Sequence, residues 1–154
     1  ARAARNGILV KGGLYLESLA KVDAVAFDKT GTLTENKPAV ARVQSLDAAF
    51  PESELLRLAA AADRRSAHPL AKAVVDGAAK QNLQVPEPQE FEQIQARGVK
   101  ATVEGKTVLV GNPALLRENG VEFSAPVEGS GQTPVHVAVD GKIAGIVYIA
   151  DALR

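Results

Sequence analysis

The chain has no cysteine, no methionine and no tryptophan, and aromatic residues make up only 4% of its 154 positions. Without cysteine there is no disulfide framework, no thiolate metal site and no thiol nucleophile, a composition that fits a cytosolic setting. Without methionine the chain cannot begin at its own start codon, and it is expected to be an excised piece of a longer protein. Lys plus Arg number 18 and Asp plus Glu number 18, for a formal net charge of +0. That balance argues against nucleic acid or an anionic membrane surface as the main partner. No apolar run approaches the roughly 18–20 residues needed to cross a bilayer, and no signal peptide is visible. Hydrophobic residues are 46% of the chain, so a packed core is feasible for one domain, or for one small domain plus part of another.

Within that ordinary composition one segment stands out. Ala24-Val25-Ala26-Phe27 is followed directly by Asp28-Lys29-Thr30-Gly31-Thr32-Leu33-Thr34. The apolar run from Val22 to Phe27 predicts a buried strand. Open α/β sheets place their chemistry at the C-terminal ends of such strands. A carboxylate there can be a nucleophile toward phosphorus and form an aspartyl phosphate. Gly31 permits a tight turn, and Thr30, Thr32 and the loop N–H groups can donate to phosphate oxygens. Phosphatases of this broad design often carry a second Asp two residues after the nucleophile, which speeds hydrolysis of the intermediate. Here that position is Thr30, so an acyl phosphate on Asp28 should persist. Persistence suits an enzyme that drives a conformational cycle with it.

The DKTGTLT segment resembles the phosphorylation motif of the P-type ATPases, the ion pumps. On that resemblance the protein is expected to use ATP and Mg²⁺. Asp28 would be the phosphoryl acceptor, Lys29, Thr30 and Thr32 would be catalytic companions, and Asp28 and the Thr30 carbonyl would be metal ligands. The basic, small-residue-rich stretch 1–13 resembles the cytoplasmic end of a membrane helix running into the catalytic unit.

The rest of the chain has readable punctuation. Residues 14–21 have helical spacing. Glu35 to Pro38 is a polar break, read as a hinge, and residues 39–46 alternate as a strand. Pro51-Glu52-Ser53-Glu54 opens a helix that should end near Arg65. A second helix starts at Pro69 and runs to about Gln81, giving a helical hairpin. Strands follow at 91–95, 99–103 and 107–110, with Glu104-Gly105-Lys106 as a hairpin turn. Asn112 caps a short helix beginning at Pro113, and Asn119-Gly120 closes it. A Ser/Gly/Pro loop at 124–132 leads to a strand at 135–139. Asp140-Gly141 turns the chain into a last strand, 143–149, ending at Asp151.

Ser66-Ala67-His68-Pro69-Leu70-Ala71 resembles the His-Pro signature of the heavy-metal-transporting P-type ATPases. The resemblance implies that His68 helps to orient ATP, and a helix N-terminus nearby suits an anionic phosphate. A bare capping role for His68 is the alternative. The same resemblance places Asp63 at the adenine edge, where the subfamily usually has a Glu. It also makes Gly98, Gly111 and Asn112 nucleotide contacts. Ala96-Arg97-Gly98 keeps only the second glycine of the family's Gly-x-Gly, and Ala67 replaces a frequent Glu. His136, in a strand pattern, is read as structural, and Glu87, Glu90 and Glu92 as a solvated stretch.

The implied fold class is α/β (α+β). An antiparallel sheet with helical hairpins, the nucleotide-binding domain at 36–141, is inserted in a truncated haloacid-dehalogenase-like Rossmann-type phosphorylation domain. The latter supplies residues 1–35 and the return strand 142–154. Hinges at Asn36–Pro38 and Asp140–Lys142 would let the nucleotide domain close on Asp28. The parent is expected to be a membrane pump with this piece on the cytoplasmic side. The transported ion would be met by membrane segments elsewhere, with zinc, cadmium or cobalt favoured over copper. The rest of the pump would be a partner in cis. Competing readings are a haloacid-dehalogenase-type phosphatase or phosphotransferase and a non-catalytic nucleotide-binding module.

Overall fold

The computed structural model describes residues 2–124 and 131–153, with the side chains of residues 2, 29, 30, 152 and 153 outside what it describes. Most of the loop expected at 124–132 therefore lies outside the described residues. Two short helices, α1 (Arg2–Arg5) and α2 (Gly13–Leu19), precede a five-residue π-helical turn at Lys29–Leu33. Then come β1 (Thr34–Ser45), α3 (Glu52–Asp63), α4 (Pro69–Lys80), β2 (Glu90–Ile94), β3 (Gly98–Val103) and β4 (Lys106–Gly111). The last elements are α5 (Pro113–Glu118), β5 (Thr133–Val139) and β6 (Lys142–Leu153).

The six strands form one sheet in the order β1-β6-β5-β4-β3-β2, and every neighbouring pair is antiparallel. Two hairpins use the left-handed turn residues expected of tight reversals. Glu104 and Gly105 have φ of 50° and 78°, and Asp140 and Gly141 have 48° and 80°. The period-2 pattern sorts residues between the two faces. Val108, Val110, Val137 and Val139 turn toward α3 and α4, together with Leu55, Ala59 and Val74. The intervening Leu109 and Ala138 turn the other way, against Leu115 and Leu116 of α5. The predicted helical hairpin, the hairpin strands and the antiparallel sheet are all present.

Three expectations are corrected. The strand predicted over Val22–Phe27 does not form: residues 22–28 have no regular structure, and Val25 and Phe27 are 67% and 65% exposed. A run apolar on both faces is the signature of a strand covered on both sides in a parallel sheet. The only sheet among the described residues is antiparallel and does not include it. Second, the break at Glu35–Pro38 lies inside β1. It is a register shift between Thr34 and Pro38 opposite β6, with Asn36 at φ 56°, so the strand bulges and continues. Third, Asp140–Lys142 is the tip of the β5–β6 hairpin and not a hinge, because β5 and β6 pair from Val139↔Lys142 to Thr133↔Ile149.

Candidate functional site

The loop between α3 and α4, the β2–β3 turn and the β4–α5 junction converge on one cleft of about 240 Å³. Asp63, His68, Gly98, Gly111 and Asn112, far apart in the chain, all line it. Its floor is apolar, with Leu70, Val99, Val110 and Val135, and its rim is polar. Sites for whole drug-sized ligands run to about 300–1,000 Å³, so this cleft has the scale of one aromatic base rather than of a complete nucleotide.

Asp63 is the last residue of α3 and is only 5% exposed. Burial alone pushes its carboxyl up from 3.8 to about 7. A helix C-terminus also disfavours negative charge. Among the described residues no hydrogen bond reaches its carboxylate.

His68 does two things at once. Its Nδ1 accepts the Leu70 N–H at 3.2 Å and so caps α4, with Pro69 in the first helical position. That bond assigns the ring proton to Nε2. The ring is otherwise exposed on the cleft rim. The capping role and a place in the cleft therefore coexist.

Asn112 is committed on both sides of its amide. Its Oδ1 accepts from Leu115 N–H at 3.0 Å, capping α5, and its Nδ2 donates to the Ala96 carbonyl at 3.1 Å. It thereby ties the β2–β3 turn to the α5 start. Ala96 itself sits at φ 59°, a left-handed conformation that costs a non-glycine residue roughly 1–2 kcal/mol.

The two glycines have an internal reason to be glycine. Gly98 and Gly111 face each other across the β3–β4 ladder. A Cβ on Gly98 would lie 2.1 Å from the Val110 carbonyl oxygen, and one on Gly111 would lie 2.1 Å from the Arg97 carbonyl oxygen. Their first service is to let the two strands close on each other beneath the cleft.

Sequence reading did not select Ser66, Gln93 or Arg97 as site residues. His68 N–H donates to Ser66 Oγ at 3.3 Å, Ser66 Oγ donates to Gln93 Oε1 at 2.9 Å, and Gln93 Nε2 donates to the Gly98 carbonyl at 3.1 Å. This chain spans the cleft from the α3–α4 loop to β3. Gln93 reads in sequence as one polar position of a strand, and only strand pairing brings it to Ser66. Arg97 pairs with Glu118 on the same rim.

Comparison with known proteins places the chain. A family model described as a hydrolase, haloacid dehalogenase-like hydrolase, matches residues 22–154. The chain belongs to that family. Within the haloacid dehalogenase-like hydrolases its likeness is to metal pumps. It is 35% identical over 158 residues to the manganese-exporting P-type ATPase of Mycobacterium tuberculosis (strain ATCC 25618 / H37Rv), with 98% of this chain and 22% of that protein covered. It is 39% identical over 162 residues to the cadmium-transporting ATPase of Staphylococcus aureus, with 99% and 22% covered. Among solved structures, a zinc-transporting PIB-type ATPase in the E2.Pi state superposes with a TM-score of 0.79 at 38% identity, covering 99% of this chain and 25% of that one. The N-domain of a copper-transporting P-type ATPase gives a TM-score of 0.64 at 27% identity, over 73% of this chain and 98% of that one. The chain thus spans about a fifth of the length of these curated relatives.

In this haloacid dehalogenase-like chain the Asp28–Thr34 segment stands apart from the cleft. Asp28 does not line it and lies exposed in the irregular stretch. Thr32 is exposed in the π-helical turn. The side chains of Lys29 and Thr30 lie outside the described residues. Gly31, at φ 77°, takes the left-handed turn expected of it. Among the described residues no three His, Cys, Asp or Glu side chains gather to hold a metal ion, and no helix is long and apolar enough to cross a membrane.

Proposed function

We propose that the chain is the ATP-binding part of a metal-exporting P-type ATPase, with the adenine of ATP in the cleft and Asp28 as the phosphoryl acceptor of the intact pump. The observation that carries this reading is the convergence of Asp63, His68, Gly98, Gly111 and Asn112 on one base-sized cleft, in a chain that also holds the DKTGTLT motif. The apolar floor would cover the faces of the base, and the rim would meet its polar edge and the ribose. His68 would present its Nε2–H to the ligand while Nδ1 stays on the helix.

In the intact pump an Asp28 carboxylate oxygen would attack the γ-phosphorus in line, and ADP would leave. Thr30, in place of a second Asp, favours a lasting aspartyl phosphate over the fast hydrolysis of a phosphatase. Mg²⁺ chemistry needs more than this chain displays. Asp28 and the Thr30 carbonyl offer two oxygens, and among the described residues no group of three His, Cys, Asp or Glu side chains gathers to complete a site. The remaining ligands belong to the rest of the pump, which is also where the transported ion would bind. The curated relatives export manganese or transport cadmium, which favours a divalent cation over copper as cargo. The division into a nucleotide unit at 36–141 and flanking phosphorylation-domain segments at 1–35 and 142–154 is part of the same proposal. One modification is that most of β6 belongs to the nucleotide unit's sheet.

The test is an amide-resolved NMR titration with a non-hydrolysable ATP analogue, with and without Mg²⁺. Shifts clustered at Asp63, His68, Gly98, Gly111 and Asn112 are expected. Absence of shifts at millimolar ligand would withdraw the assignment.

A further inference from the structure

The Asp63 carboxyl is the one cleft group whose environment and expected task are in tension. It is 5% exposed, lines the cleft and receives no hydrogen bond among the described residues. Leu70, Val99 and Val110 line the same cleft. An ionised carboxylate left there without a partner is costly. A neutral carboxyl offers an O–H donor beside a carbonyl acceptor. The polar edge of adenine offers the complement, an exocyclic amine beside an acceptor ring nitrogen. An ionised carboxylate offers acceptors only. It would satisfy the amine and repel the ring nitrogen.

We propose that Asp63 recognises adenine as a neutral acid, donating its proton to the ring nitrogen and accepting from the exocyclic amine, so that nucleotide binding takes up a proton from solvent at alkaline pH. This rests on the nucleotide reading of the cleft and adds to it the protonation state of the recognising group. The rise of the carboxyl to about 7 by burial is in accord with it.

No charged neighbour offsets that burial. On α3 and just beyond it, Arg64 and Arg65 pair with Glu87. Across the cleft the titratable groups are His68, with Nδ1 held by Leu70 N–H, and Arg97, paired with Glu118. On the strands packed against α3, Lys100 and Lys142 are exposed, Lys106 lies over Phe50, and Arg42 lies over Tyr148. On α4, Lys72 and Asp76 line a separate hollow beside β1. The Arg57–Glu54–Glu104 cluster is closed on itself.

The experiment measures the dissociation constant of a non-hydrolysable ATP analogue by NMR titration of the full 154-residue chain and its Asp63→Asn and Asp63→Ala variants, at pH 6 and pH 8. Asn carries a donor and an acceptor at every pH and mimics the neutral acid. Any pH effect common to all three proteins, on the ligand phosphates included, cancels in their ratio. Asp63→Asn should bind as tightly as the parent at pH 6. From pH 6 to pH 8 the parent should weaken about tenfold relative to Asp63→Asn, as the acid form is depleted above its pKa. Asp63→Ala should be weak at both. A parent-to-Asn ratio that is flat with pH, or an Asn variant as weak as Ala, would overturn the proposal while leaving the nucleotide site standing. Absence of cleft shifts in all three proteins would overturn both.

Discussion

Thr34 Oγ1 donates to Asp151 Oδ2 at 2.5 Å, joining residues 117 positions apart. The other oxygen of the same carboxylate accepts from Lys37 N–H at 2.6 Å, and Gly31 N–H donates to Thr34 Oγ1 at 3.2 Å. Thr34 is fully buried. One hydroxyl therefore links Gly31 of the DKTGTLT segment to the end of β6, at the place where β1 bulges. The Asp28–Thr34 loop is tied to the sheet by this contact, although its apolar approach from Val22 to Phe27 is exposed.

Replacing Thr34 by Val keeps the shape and removes the hydroxyl. A hydrogen bond to a charged group is worth about 1.5–3 kcal/mol, so urea unfolding should show a midpoint lowered by a loss in that range. The slope should be unchanged. The backbone amide of Gly31 should shift, and a silent Gly31 resonance would contradict the linkage.

Asp63→Asn should stabilise the unliganded protein, and only toward alkaline pH. A carboxyl raised on folding from 3.8 to about 7 binds its proton more tightly folded than unfolded. Its contribution is therefore fully present below the unfolded value and is lost as pH climbs through that window. The difference corresponds to about 4 kcal/mol of preference for the neutral form. The variant and parent should unfold alike near pH 4, and the variant should be more stable at pH 8. Equal melting temperatures at pH 8 would mean that Asp63 is solvated.

Ala96→Gly should stabilise by about 1 kcal/mol, because φ 59° no longer opposes a side chain. Gly98→Ala and Gly111→Ala should each destabilise by about 2 kcal/mol or more, since a Cβ would press on the facing backbone carbonyl. All three effects should appear in thermal melts without nucleotide. A loss in the glycine variants seen only with nucleotide bound would return those residues to a purely ligand-contacting role.

His68→Gln should weaken binding of the ATP analogue several-fold. It should also cost roughly 0.5–1 kcal/mol of stability through the lost cap of α4, with the amide spectrum otherwise native. An unchanged dissociation constant would remove His68 from the ligand.

Much of this was legible in local sequence. Helix starts at Pro51 and Pro69, the cap at Asn112, and the reversals at Glu104-Gly105 and Asp140-Gly141 are written in a few consecutive residues, because caps and tight turns depend on local torsions and local hydrogen bonds. The cluster of cleft residues was legible through resemblance to the metal-transporting P-type ATPases. The Ser66–Gln93–Gly98 chain was not, because nothing in the character of residue 93 records which loop it will meet.

By itself the sequence determined the antiparallel strands and the helical hairpin, since hydrophobic period and turn chemistry are properties of neighbouring residues. Tertiary structure alone decided three further things. It left Val22–Phe27 without a ladder, because a strand exists only when another strand satisfies its backbone. It gave Gly98 and Gly111 to each other, because a forbidden Cβ is defined by the facing chain. It pushed the Asp63 carboxyl up to about 7, because burial removes the water that favours its charged form.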